Sequence, residues 1–469
     1  MKVSTINIKN VRSVRLRTDA SYHLSEGQIV QNDIVSSPYP LMQIKDVSND
    51  IFIGNRAKRI YVSSIEHGIP FLSSSDILKG DLEHVKLASK KYTPEIDRML
   101  LQKGWTLISR SGTIGNCAFA NAKHAQKLAS EDVIRLVPNN ILRGGLVYAY
   151  LASKYGHSLL TQGTFGAVIQ HIEPDFVGSL PIPHFPETFQ EEVDDLMQGA
   201  SRLREEATDE LNEAEKILKE AAKLRDLTPE DYDYYGLNNS GRKVSCFIRK
   251  RKDIDTTTIN AFNHSERIRN TKASITCPTV PLKEVLLGGD TFSTGSFPRI
   301  EVKEGCGIML INQKDIFDTI VKGKYISKRN VKTNNLVEYG EVLIAGVGTL
   351  GENETFCRAI YANEDLVGQL VSGEFIRLKT NGKVSSGYLY AWLASDYGFR
   401  LLRNLQAGTK LCRPIPRLVL EIPVPIVEKE TMEEIDKMVK DAYTKRYLAN
   451  CNECKAISLV EQEIESWNK

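Results

Sequence analysis

The stretch Gly346-Val-Gly348-Thr-Leu-Gly351 spells GxGxxG, the glycine spacing that lets a dinucleotide pyrophosphate approach a backbone turn. That chemistry needs a helix to open at the last glycine. Glu352-Asn-Glu-Thr-Phe-Cys357 has no apolar period to start one, so a structural turn is expected. Cys451-Asn-Glu-Cys454 is a CxxC, half of a zinc site. No second pair stands at zinc spacing, and the motif falls inside a helical pattern, so two small helix residues are expected. The 8 histidines show no ligand spacing, and His23 and His264 are expected to be structural. A phosphate-binding GxxxxGK[ST] loop and an HExxH pair are both absent. So is the Asn/Asp-Pro-Pro-aromatic tetrapeptide that would hold a flipped adenine for methylation. No catalytic residue and no metal ligand is proposed from the sequence.

The elements that remain are those of a binding protein. With 469 residues, two or more domains are expected. Met1 to Asn10 lacks the apolar core of a secretory signal, and no apolar run approaches the roughly 20 residues of a membrane span. A cytoplasmic location without membrane contact and reduced thiols at all 8 cysteines are therefore expected. The net charge of +2 hides a division. Residues 187–226 hold 13 acidic against 6 basic side chains and 428–469 hold 10 against 7, which leaves +12 on the remainder. Basic domains on an acidic scaffold are what a polyanion-binding protein shows.

The chain is close to a tandem duplication. Gly145 to Gly156 reads GLVYAYLASKYG and Gly387 to Gly398 reads GYLYAWLASDYG, an offset of 242. The same offset pairs Ile134-Arg135-Leu136 with Ile376-Arg377-Leu378, Gly166 with Gly408, Pro174 with Pro416, and Pro181-Ile-Pro183 with Pro423-Val-Pro425. Upstream it drifts. Leu107 to Gly115 matches Leu343 to Gly351 at 236, which sets Arg110 against Gly346. Asp76-Ile77 matches Asp315-Ile316 at 239, and Asp19-Ala20 and His23 loosely match Asn260-Ala261 and His264. Segments 24–106 and 265–342 are the divergent parts.

Within each half, Trp105-Thr-Leu-Ile-Ser109 and Val133-Ile-Arg-Leu-Val137 read as strands, Gly112 to Gly115 as a turn, and Leu146 to Leu160 as a helix. The prolines of 180–183 suit an edge strand. A long helix follows each Pro-x-Pro. Phe189, Val193, Leu196, Ala200, Leu203, Ala207, Leu211, Ala214, Leu218 and Ala221 step by three or four along the first. Ile435, Met438, Ala442, Ala449, Ala456, Leu459 and Trp467 mark a less regular second. Helices of this length, about 60 Å each, need an apolar partner, and the simplest partner for each is the other, in an antiparallel coiled coil. The expected fold is thus α+β: a first domain over 1–185, a helix over 186–226, a linker over 227–242, a second domain over 243–426 and a helix over 427–469. The basic run Arg249-Lys-Arg-Lys252 follows the linker, as a solvated loop or a phosphate contact.

Two domains, each with a Gly-Thr-Ile-Gly type turn, a Leu-Ala-Ser-x-Tyr-Gly helix, a Pro-x-Pro exit and a long helix, resemble the specificity (S) subunit of type I restriction–modification systems. The resemblance covers nearly the whole chain. It implies that each domain is a target-recognition domain reading one half of a split site in double-stranded DNA. The paired helices would set the gap. Two methyltransferase (M) subunits and the restriction (R) subunits would dock on the chain, which would itself be non-catalytic. It would bind no cofactor, and S-adenosylmethionine would sit on the methyltransferase.

Candidate DNA contacts are the basic residues of the divergent segments: Arg56, Lys58, Arg59, Lys86, Lys90 and Lys91 in the first domain, and Lys322, Lys324, Lys328, Arg329 and Lys332 in the second. Arginine can grip guanine in two places, and lysine takes phosphate more often. Three other readings stay open: the specificity subunit of a type IIB-like restriction–methylation enzyme, a duplicated scaffold that binds only proteins, and a nucleotide-dependent enzyme built on Gly346 to Gly351.

Overall fold

The protein is described here from a computed structural model covering residues 26–56, 58–162, 171–228, 231, 247–254 and 257–467. Asp19-Ala20, His23, Gly166, Cys246 and most of the 227–242 linker lie outside the described residues. The chain divides into two compact units, residues 1–205 with 448–469, and residues 206–447. The division cuts both long helices at positions 242 residues apart, so the sequence repeat extends into the helices themselves.

In the first unit, β1 (Leu41–Gln43), β2 (Ser48–Ile53), β3 (Tyr61–Val62), β4 (Gly68–Leu72), β5 (Lys86–Ser89), β6 (Thr106–Ser109), β7 (Cys117–Phe119), β8 (Leu128–Ala129), β9 (Val133–Pro138) and β10 (Pro181–Pro183) form three sheets. Their orders are β2-β9-β6-β7, β3-β5-β4-β8 and β1-β10. In the second unit, β11 (Thr279–Pro281), β12 (Ile308–Ile311), β13 (Lys324–Ile326), β14 (Val342–Ala345), β15 (Ala359–Tyr361), β16 (Leu370–Val371), β17 (Phe375–Leu378), β18 (Gln406–Ala407), β19 (Arg413–Pro414) and β20 (Pro423–Pro425) follow. Here the orders are β15-β14-β17, β13-β12-β16 and β11-β20, with a hairpin β18-β19 besides. The place of β2 is taken by a bridge from Phe292 to Arg377, and that of β3 by a bridge from Glu301 to Ile326. Each Pro-x-Pro is half of a two-stranded ribbon, where a proline removes no ladder donor that a further strand would need.

The strand and turn expectations hold. Gly112 and Gly115 have φ of 76° and 80°, the left-handed region that glycine enters without strain. One helix expectation is corrected. Leu146 to Leu160 is not one helix but two, Gly144–Ala152 and Lys154–Gln162, broken at Ser153. The Ser153 hydroxyl donates to Tyr150 O at 2.6 Å and accepts from Gly156 N at 3.2 Å, ending one helix and starting the next. Ser395 does the same with Trp392 and Gly398, between Ser386–Ala394 and Asp396–Asn404. The second helix folds back so tightly that a Cβ on Gly156 would lie 2.1 Å from Tyr150 O, and one on Gly398 2.2 Å from Trp392 O. The repeated Leu-Ala-Ser-x-Tyr-Gly is therefore the sequence of a capped helical corner.

The long helices span Glu187–Ala221 and Lys429–Ser466. Val193, Met197, Ala200, Ala207, Ala214, Leu218 and Ala222 are buried along the first, and Ile435, Val439, Ala442, Ala449, Ala456, Val460 and Ile464 along the second. These are the same seven positions at offset 242. Met197, Ala222, Val439, Val460 and Ile464 join the seam beyond the residues that periodicity marks, and Phe189, Leu196, Leu203 and Leu211 are only half-buried at its margin.

In the first unit Val193 and Met197 share a core with Ala456, Val460 and Ile464, and in the second Ala214, Leu218 and Ala222 share one with Ile435, Val439 and Tyr443. Within the first unit the helices run antiparallel. Phe189 stacks on Phe185, which meets Trp467, while Arg204 bonds Asn450 at 2.8 Å. Each domain is pinned to the helix that follows it. Gly145 N donates to Asp194 Oδ1 at 2.7 Å, and Gly387 N to Asp436 Oδ1 at 2.8 Å. Both glycines sit where a Cβ would fall within 2.6 Å of that oxygen.

No helix among the described residues is long and apolar enough to cross a membrane. Gly398→Ala is expected to destabilise the second unit by about 1–3 kcal/mol, because the new methyl meets backbone that cannot turn aside. Thermal unfolding against Gly144→Ala, where a Cβ meets only ordinary van der Waals contacts, the nearest at 3.4 Å, measures the steric part.

Candidate nucleic-acid interface

The two divergent segments fold alike. Strand β5 runs antiparallel to β4 with Lys86 opposite Phe71, and β13 runs antiparallel to β12 with Lys324 opposite Leu310. Phe71 pairs in parallel with Leu128, and Leu310 with Leu370, so Lys86 and Lys324 occupy one register position of one sheet, built twice. On the outer side Ser89 N donates to Ile60 O and Ser327 N to Ile300 O, both at 2.8 Å. This register brings Arg59 next to Lys90 and Lys91, with Lys58 adjoining. In the second domain it brings Arg299 next to Lys328 and Arg329, with Lys332 just beyond. Lys86 and Lys324 mark the opposite strand end, roughly 13 Å away at the rise of an extended chain. Lys322 adjoins Lys324, and Arg56 lies at the start of the segment leading to Arg59.

All these side chains are exposed. Some are held. Arg59 pairs with Glu131 at 2.9 Å and Asp132 at 3.5 Å and lies 5.4 Å over the Phe71 ring. Lys90 Nζ caps the turn before β4, donating to Ile65 O at 3.2 Å and Glu66 O at 2.9 Å. Lys86 and Lys91 lie over Tyr61 and Tyr92, and Lys324 pairs with Glu301 at 2.5 Å. Among the described residues Arg56, Lys58, Arg299, Lys322, Lys328, Arg329 and Lys332 form no ion pair.

Arg299 is not among the cations that the sequence singles out. Its only signal there is an Arg-Ile pair, 59–60 and 299–300, inside segments whose loop lengths differ. Arg249 of the basic run bonds Glu266 at 2.5 Å and stacks on Phe247, which removes it from the exposed cations.

Beneath each sheet lies a buried arginine at the same repeat position. Arg377 is fully buried and forked on Glu341, through Nε at 2.8 Å and Nη2 at 2.9 Å, with Asn335 O and Leu336 O completing its donors. Arg135 is equally buried but grips carbonyls, Ser130 O at 2.9 Å, Val133 O at 2.6 Å and Ala129 O. Burial draws its guanidinium down to about 10. The position aligned with Glu341 is Trp105, so the first domain has exchanged a carboxylate for an aromatic packed on Phe52.

The loop after β7 docks the first domain on its helix. Ala122 N donates to Glu205 Oε1 at 2.8 Å, and Lys103 pairs with Glu205 at 2.9 Å. His124 is buried inside that loop, with Nδ1 2.9 Å from Asn121 Oδ1 and Nε2 3.3 Å from Ile77 O.

The remaining motifs carry no reactive geometry. No helix opens after Gly351, Gly346 to Gly351 being a turn between strands. Cys451 and Cys454 are exposed within the last helix, and among the described cysteines there is no disulfide. Among the described residues no group of His, Cys, Asp and Glu could hold a metal ion. His264 Nε2 bonds Thr258 O at 2.8 Å, and Asn260 caps the short turn of helix that follows it, both local roles.

Fold and surface together define a duplicated α+β protein with a basic sheet margin in each domain and a two-helix seam. No protein-family model matches the chain, and no curated protein matches it significantly. Among solved structures it is similar to a type I restriction–modification system S subunit from M. genitalium, with 13% identity, 92% of this chain and 96% of that chain covered, and a TM-score of 0.36. It is also similar to an HsdS subunit from Thermoanaerobacter tengcongensis, at 12% identity, 92% and 96% coverage and a TM-score of 0.27. A chain from a structure described as the basis of complex assembly and conformational transition of the type I R-M system gives 14%, 92% and 97%, and 0.28.

Two outcomes follow from the buried groups. Glu341→Leu strands the Arg377 charge and is expected to cost about 3–5 kcal/mol, as broken buried ion pairs do, whereas the double change Glu341→Leu with Arg377→Met is expected to recover most of it. Chemical denaturation of both variants checks this. Burial, the largest influence, pushes the His124 imidazole down to about 4 from 6.5. Below pH 6.5 the unfolded chain therefore takes up a proton that the folded chain refuses. The stability this residue contributes is present above 6.5 and lost as the pH falls toward about 4. His124→Gln is expected to flatten the first unit's stability over that window, as read by denaturation at a series of pH values.

Proposed function

We propose that this chain is a non-catalytic specificity subunit of a type I restriction–modification complex, binding double-stranded DNA through both domains. One observation carries the reading: the same register positions of the same sheet, in two domains of one chain, present cations of which most form no ion pair with a carboxylate. Phosphates neutralised by such side chains release counterions, and that release drives association. Divergence around a shared scaffold suits two domains that read different half-sites. A helix of 35 residues is about 52 Å long, more than the roughly 34 Å between half-sites one turn apart. The paired helices would thus set the gap. Their acidic outer faces would receive two methyltransferase subunits and, through the complex, restriction subunits. S-adenosylmethionine would bind the methyltransferase, with the chemistry done on a base flipped into that partner.

The test is a genome-wide map of N6-methyladenine in the native host, with and without the gene. The expected outcome is loss of one bipartite motif with a fixed gap. Restoring the gene with Lys90→Glu and Lys91→Glu is expected to disturb recognition of one half of that motif and leave the other half intact. A map unchanged by deletion in a host whose methyltransferase is expressed would overturn the proposal and favour a scaffold that binds only proteins.

A further inference from the structure

The second domain carries a basic element apart from its sheet margin. The helix Asp396–Asn404 runs into β18, and β18 pairs with β19 in the register Gln406 to Pro414 and Ala407 to Arg413. The five residues Gly408 to Cys412 close the hairpin, and Gly408 takes a φ of 112° that a side chain would resist. The base is held from three directions. Gly348 and Cys412 exchange backbone bonds at 3.2 and 2.7 Å, joining the hairpin to the glycine-rich turn. Asn263 Nδ2 reaches both Asn404 O at 2.7 Å and Gln406 O at 3.0 Å. Gln313 grips the turn through both Val347 N and Val347 O.

One side of the hairpin is anchored and the other is bare. Gln406, Cys412 and Pro414 are buried. Ala407, Thr409, Lys410, Leu411 and Arg413 are exposed, Leu411 by 59%. Among the described residues Lys410, Arg413 and the nearby Arg417 form no ion pair. Some lysines on the long helices are held by carboxylates, Lys440 by Asp436 and Lys445 by Glu206 and Glu210. Buried under the hairpin's base, Arg400 and Arg403 of the helix that feeds it, with Arg358 from the segment before β15, place guanidinium groups 5.4, 4.2 and 3.8 Å from the Phe399 ring. Glu352 offsets the Arg400 charge at 2.6 Å.

We infer that the hairpin Gln406–Pro414 is a second DNA-contacting element of this domain, with Lys410 and Arg413 on phosphates and Leu411 against base edges. The inference rests on the DNA-binding reading above. A two-stranded ribbon fits the major groove of B-form DNA, roughly 12 Å wide, and an apolar side chain there meets the thymine methyl. A rigid base with a bare cationic tip loses little conformational freedom on binding. The counterpart of this hairpin in the first domain, 164–172, lies largely outside the described residues.

The experiment is fluorescence anisotropy of the purified full-length chain on a mixed-sequence DNA duplex over a salt series, followed by selection from a randomised duplex library. Lys410→Ala with Arg413→Ala is expected to lower the slope of log affinity against log salt by about two, one for each phosphate that is no longer neutralised. Lys410→Arg with Arg413→Lys keeps the charge and is expected to keep the slope. Leu411→Ala is expected to leave the slope alone and relax base preference in one half-site only. All these positions are exposed, so the unfolding midpoint should not move. Wild-type slope and wild-type selected sequence in both alanine variants would overturn the hairpin proposal and leave the functional reading standing. A wild-type chain without salt-dependent affinity for the duplex would overturn both.

Discussion

The close approach of two helices along a seam of small side chains is the constraint on which the other features depend. Ala200, Ala207 and Ala214 in one helix, and Ala442, Ala449 and Ala456 in the other, are buried at positions where a larger residue would push the backbones apart. Most of each helix's stability comes from packing its apolar face on a partner rather than from helix propensity. Each unit therefore contains part of both, and the recurrence of all seven seam positions at one offset means that the duplication copied the scaffold along with the domains. Gly145 and Gly387 extend the same logic, since only a missing side chain allows backbone to donate to Asp194 and Asp436 so directly.

Buried charge is handled differently in the two copies. A strand arginine fixed at one repeat position needs its donors satisfied, because an unmet buried cation is costly. The second domain supplies Glu341, and the first supplies carbonyls from Ala129, Ser130 and Val133 that meet the two terminal nitrogens and leave Arg135 Nε without a partner. The carbonyl cradle leaves the Arg135 charge without a bonded carboxylate beneath the basic margin. The Glu341 fork neutralises the equivalent charge. The copies thus keep one fold while presenting different fields.

Much of this is legible in the sequence, because a repeat exposes its own constraints. The Leu-Ala-Ser-x-Tyr-Gly motif is visible twice. It reads as one continuous helix, because helical periodicity does not register a serine that caps in both directions. The basic residues come from segments that look unrelated, and the structure sets Lys86 against Lys324 and Lys90 and Lys91 against Lys328 and Arg329. Arg299, Lys410 and Arg413 carry no comparable signal: Arg299 owes its place to a strand pairing far along the chain, and Lys410 and Arg413 owe theirs to a hairpin held at its base by the distant Gly348.

The sequence by itself determined the duplication, the alternation of strand and helix in each half, and the long helices that follow. These depend on periodicity and on backbone preferences of glycine and proline, which are local. It also settled the lack of recognised catalytic motifs. Tertiary structure alone decided which cations share a margin, which are held by a carboxylate, and which form no ion pair. Those outcomes depend on antiparallel register, where a shift of one residue turns a side chain to the opposite face, and no local pattern encodes the partner strand.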